Sequence, residues 1–333
     1  MRMKLLAIIY CSLFVFWGCS TIPTNESASN EVYSFRLGHT GNSNHHYHEI
    51  TEEFANRVAE RTDGNVVIEV FPANQLGNQA EAVEGVMIGT QDMVLTSGGI
   101  LSMWVPDMGI LNLPYLFDDF AHVHKALNSA PGKELEKQLR EHDARLLGWW
   151  VNGFRHISNS KIEIKKPGDL EGLTIRTPET EVFTTSFEYL GAYPTAIAFN
   201  ELYTALQLGT VEAQENPVAH IVTQRFSEVH SYVSKSSHMY EPAPLLINNK
   251  KFESLPQQYQ TILVNTAKEL ELEHMQLVSE LEERQWEQLE EEGMVISEVD
   301  LDAFRESALP IHEHYRKKLN QQLIDDIIKM GSE

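Results

Sequence analysis

The sequence predicts an α/β fold of two lobes that face each other across a cleft, with one long helix spanning both. Three observations carry this expectation. Strand-like and helix-like periodicities alternate from Tyr33 onward. One helix-Gly-Thr-strand unit occurs twice, far apart in the chain. A stretch from Pro256 to Glu292 holds no further Pro or Gly.

The chain has 333 residues, 42% of them hydrophobic, enough for about two domains with real cores. At the N-terminus Arg2 and Lys4 precede an apolar run from Leu5 to Trp17. That run is too short to span a bilayer and matches the apolar segment of an export signal over residues 1–18. It ends in Gly18-Cys19, so Cys19 is the expected lipidated first residue of a mature lipoprotein, although Phe16 and Trp17 depart from the usual Leu-Ala/Ser-Gly-Cys pattern. Residues 20–31 (STIPTNESASNE) are small and polar, as a tether spanning 19–32 requires. Loss of the signal removes Cys11 and leaves Cys19 as the only cysteine, so the body is expected to hold no internal disulfide or cysteine metal cage. The net charge of -22 grows to about -24 without Arg2 and Lys4, which excludes nucleic acid as a natural partner. It does not exclude an anionic ligand, because a few arginines in a cleft override a distant field.

The body opens with a strand, Tyr33 to Gly38, then an amphipathic helix to about Thr62 and a β-rich run, Val66 to Phe71. The repeated unit follows. Its first copy is a helix ending at Gly89, then Thr90 and a strand running into Leu95-Thr96-Ser97-Gly98. Its second is a helix ending at Gly209, then Thr210 and a strand running into Gln214-Glu215-Asn216-Pro217. Both glycines suit left-handed helix caps, and both copies place polar loops at the carboxyl end of a strand, where open α/β sheets bind ligands. After Pro256, residues Tyr259, Ile262, Leu263, Leu270, Leu277 and Leu281 keep helical spacing, giving a helix of about 55 Å if unbroken. Gly293 ends it, a short strand is expected over Val295 to Val299, and a charged helical stretch closes the chain.

Six signposts then occur in order: Phe71-Pro72-Ala73-Asn74-Gln75-Leu76-Gly77, Leu113-Pro114-Tyr115-Leu116-Phe117, Asn152-Gly153-Phe154-Arg155, Asp169 through Pro178 (DLEGLTIRTP), Phe199-Asn200-Glu201-Leu202-Tyr203, and Gln214-Glu215-Asn216-Pro217. Together they resemble the solute-binding subunits of tripartite ATP-independent periplasmic (TRAP) transporters, of the dicarboxylate-receptor (DctP-like) type. The resemblance implies a periplasmic-binding-protein-like fold, with lobe I formed by 33–152 plus 242–280 and lobe II by 153–241 plus 281–333. It implies an extracytoplasmic receptor that captures an organic-acid anion and delivers it to the membrane permease subunits. Arg176, in the Ile-Arg-x-Pro motif, is then the residue that pairs with the ligand carboxylate, a task that suits a planar guanidinium fork better than a lysine. Arg155 takes the place of a second anion-contacting arginine and Asn216 of an asparagine on the same carboxylate, while Phe199 packs on the ligand. His39, Gln75, Thr96 and Ser97 are looser assignments from the first lobe. Of Trp149 and Trp150, placed at the end of a strand, one is expected to stack on a sugar ring, and Trp150 is taken as the candidate.

The run Asn44-His45-His46-Tyr47-His48 invites a zinc reading, but no cysteine or HExxH-type motif supports it. No metal and no cofactor is therefore expected. No GxSxG, P-loop or GxGxxG motif argues for an enzyme. A ligand sensor that presents its bound state to a signalling receptor would use the same cleft and is the alternative. For the ligand, the Trp149 to Arg155 stretch and the Gln214 to Pro217 loop resemble those of sugar-acid receptors, for uronates or keto-gulonates, more than those of sialic-acid receptors, with C4-dicarboxylates the other option.

Overall fold

The computed structural model describes residues 32–331. The export signal over 1–18, the lipidated Cys19 and the tether up to residue 31 lie outside the described residues.

Two units of the same design flank a central strand pair. The first comprises β1 (Tyr33–His39), α1 (His46–Arg61), β2 (Val66–Phe71), α2 (Gln79–Ile88) and β3 (Met93–Leu95). Two 3₁₀ segments, then α3 (Phe120–Leu127) and α4 (Ala130–Glu141), lead into the long strand β4 (Ala144–Asn159). The second unit comprises β5 (Thr174–Thr177), α5 (Glu181–Tyr189), β6 (Tyr193–Ala196), α6 (Leu202–Gln207) and β7 (Ala213–Pro217). After it come α7 (Val218–Thr223), the second long strand β8 (Tyr232–Asn248), α8 (Asn249–Glu253), the 35-residue α9 (Gln257–Glu291), β9 (Val295–Glu298), α10 (Leu301–Tyr315) and α11 (Gln321–Gly331).

The strands form one mixed sheet in the order β2-β1-β3-β8-β4-β7-β5-β6, with β9 alongside β8. In each unit the three strands run parallel in the spatial order second, first, third, so the repeat seen in the sequence is a repeat of topology. Both helices that close it stop at glycine: Gly89 and Gly209 have φ of 84° and 68°, where a side chain would be strained. Asn78 and Glu81 start α2 with a reciprocal capping box. Strands β4 and β8 pair antiparallel along nearly their whole length and belong to both halves. Their ladder is interrupted at Leu146/Gly148, Val151/Gly153 and Arg155/Ile157, and such bulges bend a strand and re-aim its side chains. Gly153 sits at one of them with φ of 133°, where an added Cβ would lie 3.3 Å from Pro217.

Four apolar clusters hold the elements together. α1 and the start of α9 cover one face of the first unit through Phe54, Val58, Leu263 and Leu270, and α2, α3 and α4 cover the other through Val83, Val123 and Leu135. In the second unit α6 and α7 bury Leu202 and Ile221 on one face, and α5 and α10 bury Phe187 and Phe304 on the other. Helix α9 contributes Leu270 to one cluster, Val278 to a second and Leu289 to a third. It bridges both halves, as its length requires.

Two expectations need correction. The strand that carries Trp149 and Trp150 does not end there but runs on through Arg155 to Asn159. The C-terminal segment does not pack wholly with lobe II: Ile311, Leu323, Ile324 and Ile327 join Leu113, Phe117 and Val123 in the first-lobe core. The amphipathic α11 has an apolar stripe that needs a partner, and α3 and α4 offer the matching one.

Candidate functional site

The carboxyl ends of β3, β5 and β7 converge on the middle of the central strand pair, and a small cavity of about 20 Å³ lies there, room for about one water. Gln79, Ser97, Asn152, Arg155, Arg176, Pro178, Phe199, Asn216, His220 and Glu241 line it. Larger concavities of about 480 and 560 Å³ lie elsewhere. Buried charge, and not size, distinguishes this one.

Arg155 and Arg176 are each 2% exposed, yet their surroundings differ. The Arg155 Nε and Nη2 donate to the two carboxylate oxygens of Glu215 at 2.5 and 2.7 Å, and Nη2 also reaches the Glu215 carbonyl at 2.7 Å and Asn216 Oδ1 at 3.2 Å. Its Nη1 donates to Glu241 Oε2. Burial opposes the charge of Arg155, but Glu215 and Glu241 outweigh it and raise its pKa. Burial likewise pushes the Glu215 carboxyl up, and Arg155 with His238 more than reverses this, leaving it below the usual range.

Arg176 has no such compensation. Its Nε donates to the Ile197 carbonyl at 2.8 Å and its guanidinium carbon lies 5.9 Å from the centre of the Phe199 ring. Among the described residues its two terminal nitrogens make no hydrogen bond and no ion pair. Burial, only partly offset by Glu215, lowers its pKa from 12.5 to about 10. A buried cation of this kind is costly unless something pairs with it.

The neutral lining is fixed by its own hydrogen bonds. Asn216 Nδ2 donates to Gln214 at 2.6 Å, and Gln214 donates to Ser158 at 2.7 Å. Asn152 donates to Glu241 Oε2 at 3.0 Å and pairs through Oδ1 with His220 Nε2 at 3.1 Å. Ser97 Oγ and the Gly99 backbone N–H, the latter at 3.2 Å, donate to Glu241 Oε1. A Cβ on Gly99 would lie 3.0 Å from that oxygen and 2.8 Å from Asn112, so only glycine brings the backbone this close. His220 Nδ1 is buried without a partner. Burial, with Arg155 and Arg176 nearby, lowers the His220 pKa to about 3, so the ring is neutral at pH 7.

Of the residues singled out from the sequence, Arg155, Arg176, Asn216, Phe199 and Ser97 meet in this cavity. His39 and Thr96 line an adjoining one with Gly38, Leu76 and Gln79. Gln75 does not reach either; it is exposed in the turn before α2, and Gln79, the first residue of α2, takes the place expected of it. Trp150 is corrected as well. It is 0% exposed in the first-lobe core, edge-on to Phe54, with Nε1 donating to the Ala267 carbonyl at 3.0 Å. No face is left for a sugar ring. Gln79, Asn152, His220 and Glu241 were not anticipated. For His220 the signal was available, since it sits in α7 directly after the Asn216-Pro217 end of β7.

The histidines form their own buried group. His45 caps α1 by accepting from the Tyr47 N–H at 3.1 Å and stacks on His220 with ring centres 4.2 Å apart. His274 Nδ1 accepts from the Val151 N–H at 3.3 Å, so its Nε2 donates to His46 Nδ1 at 2.7 Å. His39 and His48 approach to 3.4 Å. Among the described residues no group of three His, Cys, Asp or Glu side chains is placed to hold a metal ion. Beside the stack, Asn42 Nδ2 donates to the Thr223 carbonyl at 2.7 Å, so the loop after β1 and the end of α7 are joined across the mouth of the site.

Comparison with known proteins agrees with this arrangement. Residues 37–318 match the family described as bacterial extracellular solute-binding protein, family 7. The 2,3-diketo-L-gulonate-binding periplasmic protein YiaO of Escherichia coli K12 is 33% identical over 306 residues, 92% of either chain. A TRAP periplasmic solute-binding protein from Polaromonas sp. JS666, solved with D-erythronate, superposes with a TM-score of 0.86 at 34% identity over 89% of this chain and 98% of that one. The sugar acid binding protein of Advenella mimigardefordensis, solved with galactonate, gives a TM-score of 0.88 at 27% identity over 91% and 98%. A twofold strand-helix repeat, a long bridging helix and an unpaired arginine between the two halves are thus found in a chain that belongs to the DctP-like family of TRAP transporter solute-binding receptors.

Proposed function

We propose that this receptor binds a sugar acid of about four to six carbons outside the cytoplasm, grips its carboxylate with Arg176, and hands it to the membrane permease subunits of its transporter. The observation that carries the proposal is the buried Arg176 guanidinium with two free terminal nitrogens. A carboxylate matches those parallel donors bidentately and relieves the desolvated charge. Asn216 and Arg155 border the same place, and Phe199 supplies an apolar wall. The erythronate, galactonate and diketo-gulonate relatives support the ligand class. The role is binding, as in the receptor family that the chain belongs to.

A cavity of about 20 Å³ is smaller than any such ligand, so capture requires the two lobes to part and close again around it, the hinge motion of two-lobed binding proteins. The Asn42 to Thr223 bond and the His45 to His220 stack are the contacts that opening breaks. Cys19 carries the lipid that keeps the receptor at the membrane surface, with residues 20–31 as tether. Among the described residues no helix is long and apolar enough to cross a membrane.

Thermal-shift screening of the purified protein against aldonates, uronates, keto acids and C4-dicarboxylates tests the proposal, because a ligand that binds only the folded state raises the melting temperature by mass action. A shift with at least one sugar acid, abolished by Arg176→Ala, is expected. A shift that survives Arg176→Ala would place the carboxylate elsewhere.

A further inference from the structure

The charges around the cavity nearly cancel before any ligand arrives. Two guanidinium groups, Arg155 and Arg176, face two buried carboxyl groups, Glu215 and Glu241. Arg155 is held by both acids, so Arg176 alone is left to pair with an incoming anion. Glu215 is turned toward Arg155 and His238 and does not border the cavity. Glu241 does. Its Oε1 accepts from Ser97 and Gly99 and its Oε2 from Asn152 and Arg155. Gly99, Asn152 and Arg155 can only donate here, with Arg155 as the ion-pair partner, so the side chain serves as an acceptor.

Beyond Arg176 the rest of the lining therefore offers a carboxylate (Glu241), amides (Gln79, Asn152), a hydroxyl (Ser97), a neutral imidazole (His220) and no further free cation. A second ligand carboxylate placed there would lie against Glu241 in a water-poor site, where like charges repel strongly. A ligand hydroxyl fits the same place: it can donate to the unpartnered Nδ1 of His220 and accept from an amide N–H.

We infer that Glu241 is the specificity determinant of this receptor, selecting a ligand with one carboxylate and a hydroxylated chain and rejecting the corresponding dicarboxylate. The inference rests on Arg176 being the carboxylate site. It refines the ligand class by the charge the site tolerates: one negative group, at one end.

Matched ligand pairs test it. Galactonate and galactarate share six carbons and their hydroxyls and differ only in a far-end CH₂OH or carboxylate; erythronate and meso-tartrate form the same pair on four carbons. Calorimetry of the purified wild-type protein should show the monocarboxylate of at least one pair binding more than tenfold tighter than its dicarboxylate. Glu241→Gln, which removes the charge and keeps the shape, should narrow that ratio at least threefold. A dicarboxylate within tenfold of its partner in the wild type overturns the inference without any variant, and an unchanged ratio in a folded Glu241→Gln protein overturns the role of Glu241. Binding of none of the four also overturns it. In the first two of these cases carboxylate binding itself survives and is still lost in Arg176→Ala. Binding that persists in Arg176→Ala instead overturns the placement of the carboxylate, and this inference with it.

Discussion

Replacing Arg176 by methionine separates a binding residue from a structural one, because the two roles predict opposite effects on the ligand-free protein. Arg176 is 2% exposed and has no acidic partner among the described residues, and burial lowers its pKa from 12.5 to about 10. That fall corresponds to about 3 kcal/mol of disfavoured charge. The sign follows from linkage: between pH 12.5 and about 10 the unfolded chain takes up this proton before the folded one, and below about 10 both carry it, so at pH 7 the whole penalty acts against folding. Methionine removes the penalty and also the hydrogen bond to the Ile197 carbonyl, and a bond to a charged group contributes about 1.5–3 kcal/mol. The net change lies between zero and a gain of about 1.5 kcal/mol, or a melting temperature unchanged to a few degrees higher. Affinity for the sugar acid should meanwhile fall by about 30- to 1,000-fold, the usual loss of about 2–4 kcal/mol when one member of a buried charged pair is truncated. Even Arg176→Lys should lose much of this, since an ammonium cannot offer the parallel fork. Scanning calorimetry of the ligand-free proteins and titration calorimetry with the ligand are the assays. A clearly lowered melting temperature combined with near-normal affinity would refute the argument.

Arg155→Met should behave in the opposite way and destabilise the ligand-free fold by about 3–5 kcal/mol, because it leaves Glu215 and Glu241 buried without their cation; urea unfolding reads this directly, and a loss below about 1 kcal/mol would contradict it. Acid should weaken the protein through its buried imidazoles. Burial holds His39, His220 and His274 at a pKa of about 3 against 6.5 when exposed, so stability is intact above about pH 6.5 and drains as pH falls toward 3. By pH 5 each contributes a loss of about 2 kcal/mol, and a urea midpoint equal at pH 7 and pH 5 would rule this out. Cys19→Ser should release the protein from membranes and abolish fatty-acid labelling; labelling that persists in the variant would assign the lipid to another residue.

Much of this architecture was legible because it is local. The glycines at 89 and 209 mark the helix ends on their own, the Pro-free and Gly-free run announces α9, and the repeated unit anticipates two similar halves. Arg176 and Asn216 could be placed because the motifs that hold them, Ile-Arg-x-Pro and Gln-Glu-Asn-Pro, carry the family resemblance. What escaped depends on distant pairing. Glu241 reads as an ordinary acidic residue in a strand until Arg155, far away in sequence, is brought against it across the β4-β8 ladder. Trp150 was misplaced for a related reason: the strand containing it is sixteen residues long, and its bulges decide which face each residue takes. The packing of α11 on the first lobe could not be read from an apolar stripe alone, since either lobe offers a surface to meet it.

The two long strands have a consequence for how the molecule is made. Strand β3 completes its half of the sheet only by pairing with Leu245, Leu246 and Ile247 of β8, and the cluster under α1 needs Leu263 and Leu270 of α9. The first half of the chain therefore remains an open-edged intermediate until most of the protein has been synthesised. Contacts of such high sequence separation slow folding and expose unpaired strand edges meanwhile. A protein built this way gains from staying unfolded while in transit and collapsing once the whole chain is present. Cutting it between the two repeats should yield two fragments that cannot fold apart but that regain the sheet when mixed.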